Sequence, residues 1–421
     1  LNPIDIKIKK KIYGEYLGGL NPDPPGLKLA KILVEDNKCI LQVNGEETIE
    51  LENHEHEKKL RKYLDKLDID GVLLKGNTNI DLRKLGRDKD GYGRLILKED
   101  EFQGLAALSE KAYFSYVAPR RVVKITIGNS VDARQCYFAQ KMGLAIPRKQ
   151  NGNAYLKPAT FYYNMDRGGL VLSPKPGLHK DVVALDFVSM FPHIIIKYNI
   201  SYETCTPQGT RKIHGKAFLP MIIEEPLERR LFFRKLKETN SFAKERYSVL
   251  KLLLVAVYGY SGKLDNRYGN MLCNMFINYY SRIILLKAID IAKEAGFDII
   301  YADTDSIFVH KDGIKEEDVE NLRKKIEEET GIPVSVENFF KFIAFVPSKT
   351  RIGMNVKRYF GITRNGKLVL KGLMAVRRDT PAVIKRAQIE MIRSLESVRN
   401  ADDRQKILEK IAKIFYKYRE I

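Results

Sequence analysis

The sequence predicts an α+β fold, and three observations carry that prediction. Residues 181–186 form an apolar run that ends in an acid, which is typical of a buried strand. Residues 222–259 have the pattern of two helices with a polar break between them, which predicts an antiparallel helical hairpin. Two short apolar runs, 298–302 and 306–310, flank Asp303-Thr304-Asp305 and are expected to be strands joined by a turn.

The bulk composition limits the classes of function. The chain has 421 residues, enough for two or three domains, and 44% of them are hydrophobic, as in a globular protein. Lys and Arg number 73 against 53 Asp and Glu, a formal charge of +20, which favours a polyanionic partner. The alternative is a charged surface that serves solubility alone.

The sequence indicates neither a membrane protein nor a disulfide-rich protein. No secretory signal is present, and no apolar run approaches the ~18 residues needed to span a bilayer. The four cysteines form no CxxC pair, so neither a zinc ribbon nor a disulfide framework is indicated, which fits a reducing compartment.

The first part of the chain is expected to contain both strands and helices. Ser130 is the candidate N-cap of one helix, and the Asn-, Gly- and Pro-rich residues 148–180 mark a domain boundary. The expected strands are 28–34, 39–43 and 71–75, and the expected helices are 56–67, 101–113 and 131–142.

After the boundary, helices predominate. Ser241 is the candidate N-cap of the second arm of the hairpin, and Gly296 is the expected end of the helix that follows. Arg364-Asn365-Gly366 has the composition of a hairpin turn. The remaining expected elements are helices 271–295, 381–398 and 403–418 and strands 358–363 and 367–371.

Three acids lie at predicted strand ends. Asp186 ends one strand, and alternation along the chain would direct Asp303 and Asp305 to the same side. Buried carboxylates are costly unless a cation compensates them, so three converging acids would suggest a hard-cation site such as one for Mg²⁺. Two such ions ~3.5–4 Å apart can activate a hydroxyl and stabilise a leaving oxygen. The alternative is that Asp303 and Asp305 merely shape a turn.

Four motifs in order resemble those of family B DNA polymerases. Residues 186–195 (DFVSMFPHII) resemble the first palm motif, DFxSLYPSII, and residues 301–306 (YADTDS) match YxDTDS. Residues 251–259 (KLLLVAVYG) resemble the fingers motif, KxxxNSxYG. Residues 357–359 (KRY) and 371–372 (KG) resemble elements that hold the primer–template.

The resemblance implies a right-hand polymerase core with an antiparallel-sheet palm, helical-hairpin fingers and a short helical thumb. A degenerate RNase H-like exonuclease domain would precede it. The implied boundaries are 1–110 for the exonuclease-like domain, 111–221 for the connection and first part of the palm, 222–260 for the fingers, 261–379 for the second part of the palm and 380–421 for a partial thumb.

The resemblance also implies the chemistry. Asp186 and Asp305 would be metal ligands, with the backbone carbonyl of Phe187 as a third contact, and Asp303 would have a more variable role. The cofactors would be two Mg²⁺ ions, with Mn²⁺ as a substitute. A primer 3′-hydroxyl would attack the α-phosphate of a dNTP and release pyrophosphate.

The nucleotide site would be formed from two segments. Phe191 would lie under the sugar and leave no room for a 2′-hydroxyl, although plain core packing is the alternative, and the backbone N–H groups of Ser189 and Met190 would contact the triphosphate. In the fingers, Lys251 would face the triphosphate. An opposing Arg is implied in one of two registers: ungapped alignment favours Arg229, and charge favours Arg230 with Arg234 at i, i+4. Each of these arginines could instead be solvated surface.

Other residues are implied to contact the bases or the duplex. Tyr258 would lie beside the incoming nucleotide, and phosphate contacts would fix the register of the duplex without reading its sequence. A charged strand edge is the alternative for the basic residues of this set. The implied DNA-binding residues are Gly259, Thr304, Lys357, Arg358, Tyr359 and Lys371.

Some residues depart from the family pattern. Val255 and Ala256 replace the Asn and Ser of the fingers motif, and Asp166-Arg167-Gly168-Gly169 replaces Tyr-x-Gly-Gly. No Asp-x-Glu precedes Asp186, and the single Asp81 cannot hold two metals, so we expect no 3′–5′ proofreading.

The function expected from the sequence is template-directed DNA synthesis on a primer. One alternative is a catalytically silent, polymerase-like DNA-binding or scaffold subunit. Another is an enzyme with related palm chemistry, such as an RNA-synthesising polymerase or primase, although Phe191 argues against the use of ribonucleotides. The expected partners are primer–template DNA and dNTPs, and a processivity or accessory protein could complete the short thumb; no membrane partner is expected. The expected location is cytoplasmic and nucleoid-associated.

Overall fold

The structure is a computed structural model that divides the chain into two compact units. The first contains Leu1–Pro158 and Ile195–Phe276, and the second contains Ala159–Ile194 and Ile277–Ile421. The described residues are 20, 27–35, 38–43, 47–51, 56–75, 85–86, 94–99, 102–149, 160, 167–263, 265–347, 354–397 and 403–419.

The elements confirm the predicted mixture of helix and sheet. In chain order, the described strands are β1 (Leu29–Glu35), β2 (Lys38–Val43), β3 (Glu47–Leu51), β4 (Gly71–Lys75), β5 (Leu95–Lys98), β6 (Val171–Leu172), β7 (Gly177–Phe187), β8 (Cys205–Thr206), β9 (Gly209–Thr210), β10 (Asp298–Asp303), β11 (Ser306–His310), β12 (Val334–Pro347), β13 (Met354–Thr363) and β14 (Leu368–Lys371). The helices are α1 (His56–Lys66), α2 (Leu105–Ser115), α3 (Pro119–Val122), α4 (Ile127–Lys141), α5 (Met190–Lys197), α6 (Phe218–Leu236), α7 (Ser241–Ser261), α8 (Met271–Glu294), α9 (Glu316–Thr330), α10 (Ala382–Ser394) and α11 (Asp403–Arg419).

Two predicted helix caps are wrong by one to four residues. Helix α4 begins after Thr126, whose hydroxyl accepts a hydrogen bond from the backbone N–H of Asn129 at 3.2 Å. Helix α7 begins after Asn240, whose side-chain oxygen accepts from the N–H of Ala243 at 2.9 Å. Ser130 and Ser241 therefore lie inside their helices, because a polar residue nearer the start satisfies the unpaired N–H groups.

The first unit contains a five-stranded mixed sheet of order β3-β2-β1-β4-β5. Strand β1 pairs antiparallel with β2 and parallel with β4, and β4 pairs parallel with β5. Its core includes Ile32, Leu41 and Val72, which are fully buried, together with Leu60 and Leu64 of α1. Alternate strand residues face α1, and residues of the opposite face, among them Leu95 and Leu97, pack in a second buried cluster.

The first unit also contains the predicted helical hairpin. Helices α6 and α7 are joined by four residues, 237–240, and both pack against helices that precede residue 142: α7 contacts α2 and α4, and α6 contacts α4. Phe233, Ala243 and Leu250 form the buried contact between the two arms. The hairpin is thus attached along its length to the rest of its unit.

The second unit is built on an antiparallel sheet of order β14-β13-β12-β7-β11-β10-β6. Strand β7 lies between β11 and β12, and its residues Val182 and Ala184 pack with Tyr301, Phe308 and Phe340 in the core. The strands predicted from the sequence end within one residue of the observed C-terminal ends of β7, β10 and β11. Strand β12, the longest strand described, was not predicted. Strand β12 pairs with β7, so the backbone of β12 lies next to Asp186.

No helix in the described ranges combines the length and the apolar character needed to cross a membrane.

Candidate active site

A single row of residues crosses four strands at one end of the second sheet. Asp186 is paired in register with Ser306 of β11 on one side and with Ser335 of β12 on the other. Ser306 is in turn paired with Asp303, the last residue of β10. Residues paired in register across a sheet direct their side chains to the same face. Asp186 and Asp303 therefore share a face, two strands or roughly 10 Å apart.

Asp305 lies close to this row of residues but belongs to a turn rather than to a strand. Thr304 and Asp305 form the turn between β10 and β11, and Thr304 has a left-handed conformation with φ 56°. The carbonyl of Asp305 accepts a hydrogen bond from the N–H of Phe187 at 2.8 Å. Asp305 therefore lies beside the end of β7, one residue from Asp186. Alternation along one strand, on which the sequence argument relied, does not apply, because the turn separates Asp303 from Asp305.

Asp303 has its own partners. The Nζ atom of Lys357 lies 3.2 Å from its carboxylate, and the hydroxyl of Thr304 donates to it at 3.0 Å. The backbone of Lys357 has φ 60°, and its N–H donates to the hydroxyl of Tyr301 at 3.1 Å. Burial, and then the charge of Asp303, raise the pKa of Tyr301, so its hydroxyl stays protonated. Asp303 and Tyr301 together hold Lys357 in place.

The donor set at the strand ends fits a hard cation. Asp186 is half-buried and Asp305 is exposed, and both offer carboxylate oxygens. Mg²⁺ is usually held by one or two carboxylates, with water and substrate phosphates as the remaining ligands, so two acids are a sufficient protein contribution. Within the described ranges, however, no group of three or more His, Cys, Asp or Glu side chains is placed to hold a metal ion. The three acids therefore do not form one metal-ligating group in this part of the chain, and the roles of Asp186 and Asp305 as metal ligands stay predictions.

The segment after β7 turns sharply into α5. The N–H of Val188 donates to the carbonyl of Pro333 at 2.8 Å, and Ser189 adopts φ 54°. Helix α5 then begins at Met190, where the first N–H groups of a helix have no partner within it. Phe191, in the first turn, is half-buried, whereas Met190 is almost fully buried. The segment is thus shaped to offer backbone N–H groups next to an aromatic ring.

The two candidate arginines of the hairpin have different environments. Arg229 is 5% exposed and donates from Nε and Nη2 to the two carboxylate oxygens of Glu110, at 2.7 and 2.8 Å. Burial alone would lower the pKa of Arg229, but Glu110 raises it above its ordinary value. This buried ion pair argues against Arg229 as a nucleotide contact. The choice between the two registers stays a prediction, although the guanidinium of Arg229 is already paired with Glu110.

Arg230 belongs to a cluster of positive charge around Tyr247. Its guanidinium lies 5.0 Å from the ring centre and donates to the hydroxyl at 3.3 Å, and Lys237 lies at 5.0 Å from the same ring. Burial raises the pKa of Tyr247, but Arg230, Lys237 and Lys251 together lower it below its ordinary value. Lys251 itself is exposed. The cluster is a concentration of positive charge on the hairpin.

The remaining residues that were predicted to lie near the nucleotide or the base pair are on the two helices of the hairpin. Arg234 is half-buried, one turn beyond Arg230. Tyr258 is half-buried, and its carbonyl accepts from the hydroxyl of Ser261 at 2.7 Å and from the side chain of Asn274 at 3.3 Å. Gly259 is exposed, with open space where a side chain would begin.

The duplex-binding candidates lie on the last strands of the second sheet. Lys357, Arg358 and Lys371 are exposed, and Lys371 is paired in register with Tyr359. Tyr359 instead packs in the aromatic core, 5.5 Å from the ring of Phe308, and burial raises its pKa to about 12. The basic side chains are thus exposed on the surface, where a polyanion can contact them, whereas Tyr359 packs in the core of the sheet.

Sequence reasoning missed several residues that shape these sites. Ser335, whose hydroxyl donates to the carbonyl of Asp186 at 3.3 Å, lies on the strand that was not predicted. Glu110 and Tyr247 gave no local signal, because their partners are distant in sequence or on another helix. Asp81 and Asp166 lie outside the described residues.

Comparisons with known proteins agree with this geometry. The profile of DNA polymerase family B matches residues 138–421, about two-thirds of the sequence. The chain belongs to DNA polymerase family B.

Two curated relatives and one solved structure are DNA polymerases by name. The DNA polymerase of Archaeoglobus fulgidus is 33% identical over 299 residues, covering 67% of this chain and 36% of that protein. DNA polymerase 2 of Aeropyrum pernix is 31% identical over 318 residues, covering 69% of this chain and 37% of that protein. The family B DNA polymerase of Pyrobaculum calidifontis has a similar fold, with a TM-score of 0.63 and 20% identity, covering 94% of this chain and 66% of that chain. This chain spans little more than a third of the length of the two curated relatives.

Proposed function

We propose that this chain carries out template-directed DNA synthesis, adding dNMP to a primer 3′ end by two-metal nucleotidyl transfer without 3′–5′ proofreading. The observation that carries the proposal is the backbone hydrogen bond from Phe187 to Asp305, which sets two acid-bearing chain segments side by side. Membership of DNA polymerase family B supplies the class of reaction.

Members of family B generally use divalent metal ions. Asp186 and Asp305, with the backbone carbonyl of Phe187, would hold two Mg²⁺ ions, with Mn²⁺ as a substitute. Such cations, when bound, neutralise charge that develops on phosphate oxygens. Strand pairing on both sides positions Asp186, and a backbone hydrogen bond from Phe187 positions the turn residue Asp305, so the oxygen ligands would need little rearrangement when substrate arrives.

The turn after β7 would bind the triphosphate and select the sugar. Ser189 and Met190 would donate backbone N–H groups to phosphate oxygens at the start of α5. Phe191 would occupy the space that a 2′-hydroxyl needs, so deoxynucleotides are preferred. The half-buried ring is compatible with this role, because part of its face is open.

The hairpin would contribute positive charge to the triphosphate. We assign this role to Arg230, Arg234 and Lys251 and leave Arg229 to its buried partner. The cluster around Tyr247 supports the assignment, because several cations repel one another at low dielectric and are stabilised by an anion. Tyr258 and Gly259 would lie beside the templating base pair.

Lys357, Arg358 and Lys371 would contact phosphates of the primer–template, with Tyr359 and Thr304 in support. Asp303 is assigned to holding Lys357 rather than metal, because their charged groups lie 3.2 Å apart. Phosphate contacts of this kind position a duplex without reading its sequence. Affinity for DNA should accordingly fall steeply as salt rises.

The absence of proofreading is proposed from the sequence of the first unit. Its mixed sheet is compatible with a reduced exonuclease-like domain, but no Asp-x-Glu occurs before Asp186. Degradation of a labelled single strand with Mg²⁺ would contradict this part of the proposal.

Primer extension with charge-removing variants tests the reaction. Asp186→Asn and Asp305→Asn should each lower the extension rate by at least ~1000-fold, since metal-assisted charge stabilisation is worth several kcal/mol. Asp303→Asn is the matched comparison and should lower it by no more than ~10-fold. Filter binding of a primer–template should be unchanged in the first two variants.

Two outcomes would contradict the proposal. Wild-type rates in Asp186→Asn or Asp305→Asn would remove these residues from metal binding. A wild-type protein that binds primer–template but extends no primer with dNTP would favour the silent DNA-binding subunit. Parallel reactions with NTP, and without a primer, separate DNA synthesis from RNA synthesis and priming.

A further inference from the structure

Glu110 is the most completely buried charged group near the hairpin, and it contacts both arms. It lies on α2, outside the part of the chain that matches the family profile, and is 0% exposed. Arg229 of α6 donates to both of its oxygens, and Arg246 of α7 donates from Nη1 to one of them at 2.8 Å. One carboxylate therefore joins three helices.

Further polar contacts join the hairpin to the same helices. Glu245 of α7 accepts hydrogen bonds from the N–H groups of Ala106 and Ala107, at 3.2 and 3.4 Å, at the start of α2. Gly104, which caps α2 with φ 109°, leaves the space that this carboxylate fills, since a Cβ there would lie 2.0 Å from it. Arg134 of α4 donates to the carbonyl of Ile222 at 2.6 Å. Each arm of the hairpin is thus tied to a helix of the preceding segment.

The joined arginines are direct neighbours of the basic cluster. Arg229 precedes Arg230 on α6, and Arg246 precedes Tyr247 on α7. The same turns of the two helices therefore hold Glu110 on one side and bring Arg230 to the ring of Tyr247 on the other. A shift of one arm at Glu110 would move Arg230 relative to Lys251, which follows Tyr247 by one helical turn.

We propose that Glu110 is a positioning residue for nucleotide capture: it fixes the two arms of the hairpin so that Arg230 and Lys251 are presented to an incoming triphosphate in one arrangement. The inference rests on the proposed function of the hairpin and names a group that acts through Arg229 and Arg246. Loss of the tie lowers the fraction of molecules with the competent arrangement, and the apparent affinity for dNTP falls by that fraction.

The test compares Glu110→Gln with Glu110→Asp and with a matched control, Asp65→Asn. Asp65 is also the partner of a buried arginine, Arg94, but belongs to the sheet region of the first unit. Single-nucleotide incorporation is measured well below the melting temperature. In Glu110→Gln the KM for dNTP should rise about 10-fold with kcat within twofold, because saturating dNTP restores the competent arrangement. Glu110→Asp, which keeps the charge, should recover most of the loss, and Asp65→Asn should leave KM unchanged.

Hydrogen exchange of α6 and α7 without substrate gives a readout that needs no activity. Glu110→Gln should exchange faster in both arms than the wild type, and Asp65→Asn should not. Unchanged exchange, an unchanged KM, or a fall in kcat at constant KM would each overturn the inference. If Glu110→Gln does not fold, Glu110→Asp carries the test, with smaller changes of the same sign. If the wild type extends no primer, the proposed function fails, and the exchange comparison still decides whether Glu110 fixes the hairpin.

Discussion

The acid-bearing strand ends of the second unit and the arginine-bearing hairpin of the first unit hold charge in opposite ways. Asp186 and Asp305 are placed by backbone pairing, and their carboxylates lie half-buried and exposed at a sheet end. Arg229 is placed by a side-chain ion pair in a dry interior. The carboxylate of Asp305 is exposed to solvent, whereas the guanidinium of Arg229 is buried against Glu110 and serves the fold.

The same distinction applies within each region. In the second unit, the carboxylate of Asp303 lies 3.2 Å from Lys357, whereas Asp186 is paired in register with residues of two neighbouring strands. In the hairpin, both arginines are buried: Arg229 pairs with Glu110, and the guanidinium of Arg230 lies 5.0 Å from the ring centre of Tyr247. Residues that look equivalent in the sequence are therefore distinguished by their contacts in the structure.

The largest expected effect comes from removing the buried charge of the hairpin. Arg229→Met should lower the free energy of unfolding by about 3–5 kcal/mol, because Glu110 then loses its bidentate partner in the interior. Arg230 is 6% exposed and donates a 3.3 Å hydrogen bond to the uncharged hydroxyl of Tyr247, so Arg230→Met should cost less, about 1–3 kcal/mol. Urea unfolding followed by circular dichroism measures both, since the chain has no tryptophan.

Both variants should also raise the KM for dNTP, for different reasons. Arg230→Met removes a cation that is proposed to contact the triphosphate, whereas Arg229→Met breaks the contact with Glu110 that is proposed to fix the hairpin. Equal loss of stability in both variants would remove the contrast between a structural and a ligand-binding arginine.

Sequence reasoning found the acids but not the environment of the arginines. The strand that ends at Asp186 and the turn at Asp303–Asp305 have local patterns, and the order of the motifs relates them to one family. Glu110 and Arg229 are 119 positions apart, and nothing in either segment indicates the other. The spacing of charged residues along a helix predicts which of them share a face. It does not predict which other part of the protein buries that face.

The missed strand β12 has a similar explanation. Its sequence, VSVENFFKFIAFVP, alternates only in part, and register shifts interrupt its pairing with both neighbours. Such irregularities disturb the period of two on which strand prediction depends. The strand is therefore specified by its long pairing with β7, which sequence patterns do not contain.

A smaller effect would sharpen the site of the second unit. Phe191→Ala should reduce discrimination against ribonucleotides by about 10- to 200-fold, the range expected when a small steric barrier is removed. The ratio of kcat/KM for dNTP to that for NTP measures it. Phe191→Tyr, which restores the residue usual in the family, should retain discrimination. Unchanged sugar selection in Phe191→Ala, with a lowered melting temperature, would show that the ring is core packing.

The smallest effect distinguishes the observed helix cap from the predicted one. Asn240→Ala should lower the free energy of unfolding by about 1 kcal/mol, because its side chain accepts the N–H of Ala243 at the start of α7. Ser241→Ala should be neutral or slightly stabilising, since Ser241 is the first helical residue and Ala has the higher helix propensity. Urea unfolding of the two variants in parallel is the measurement, and a larger loss in Ser241→Ala would contradict the assigned cap.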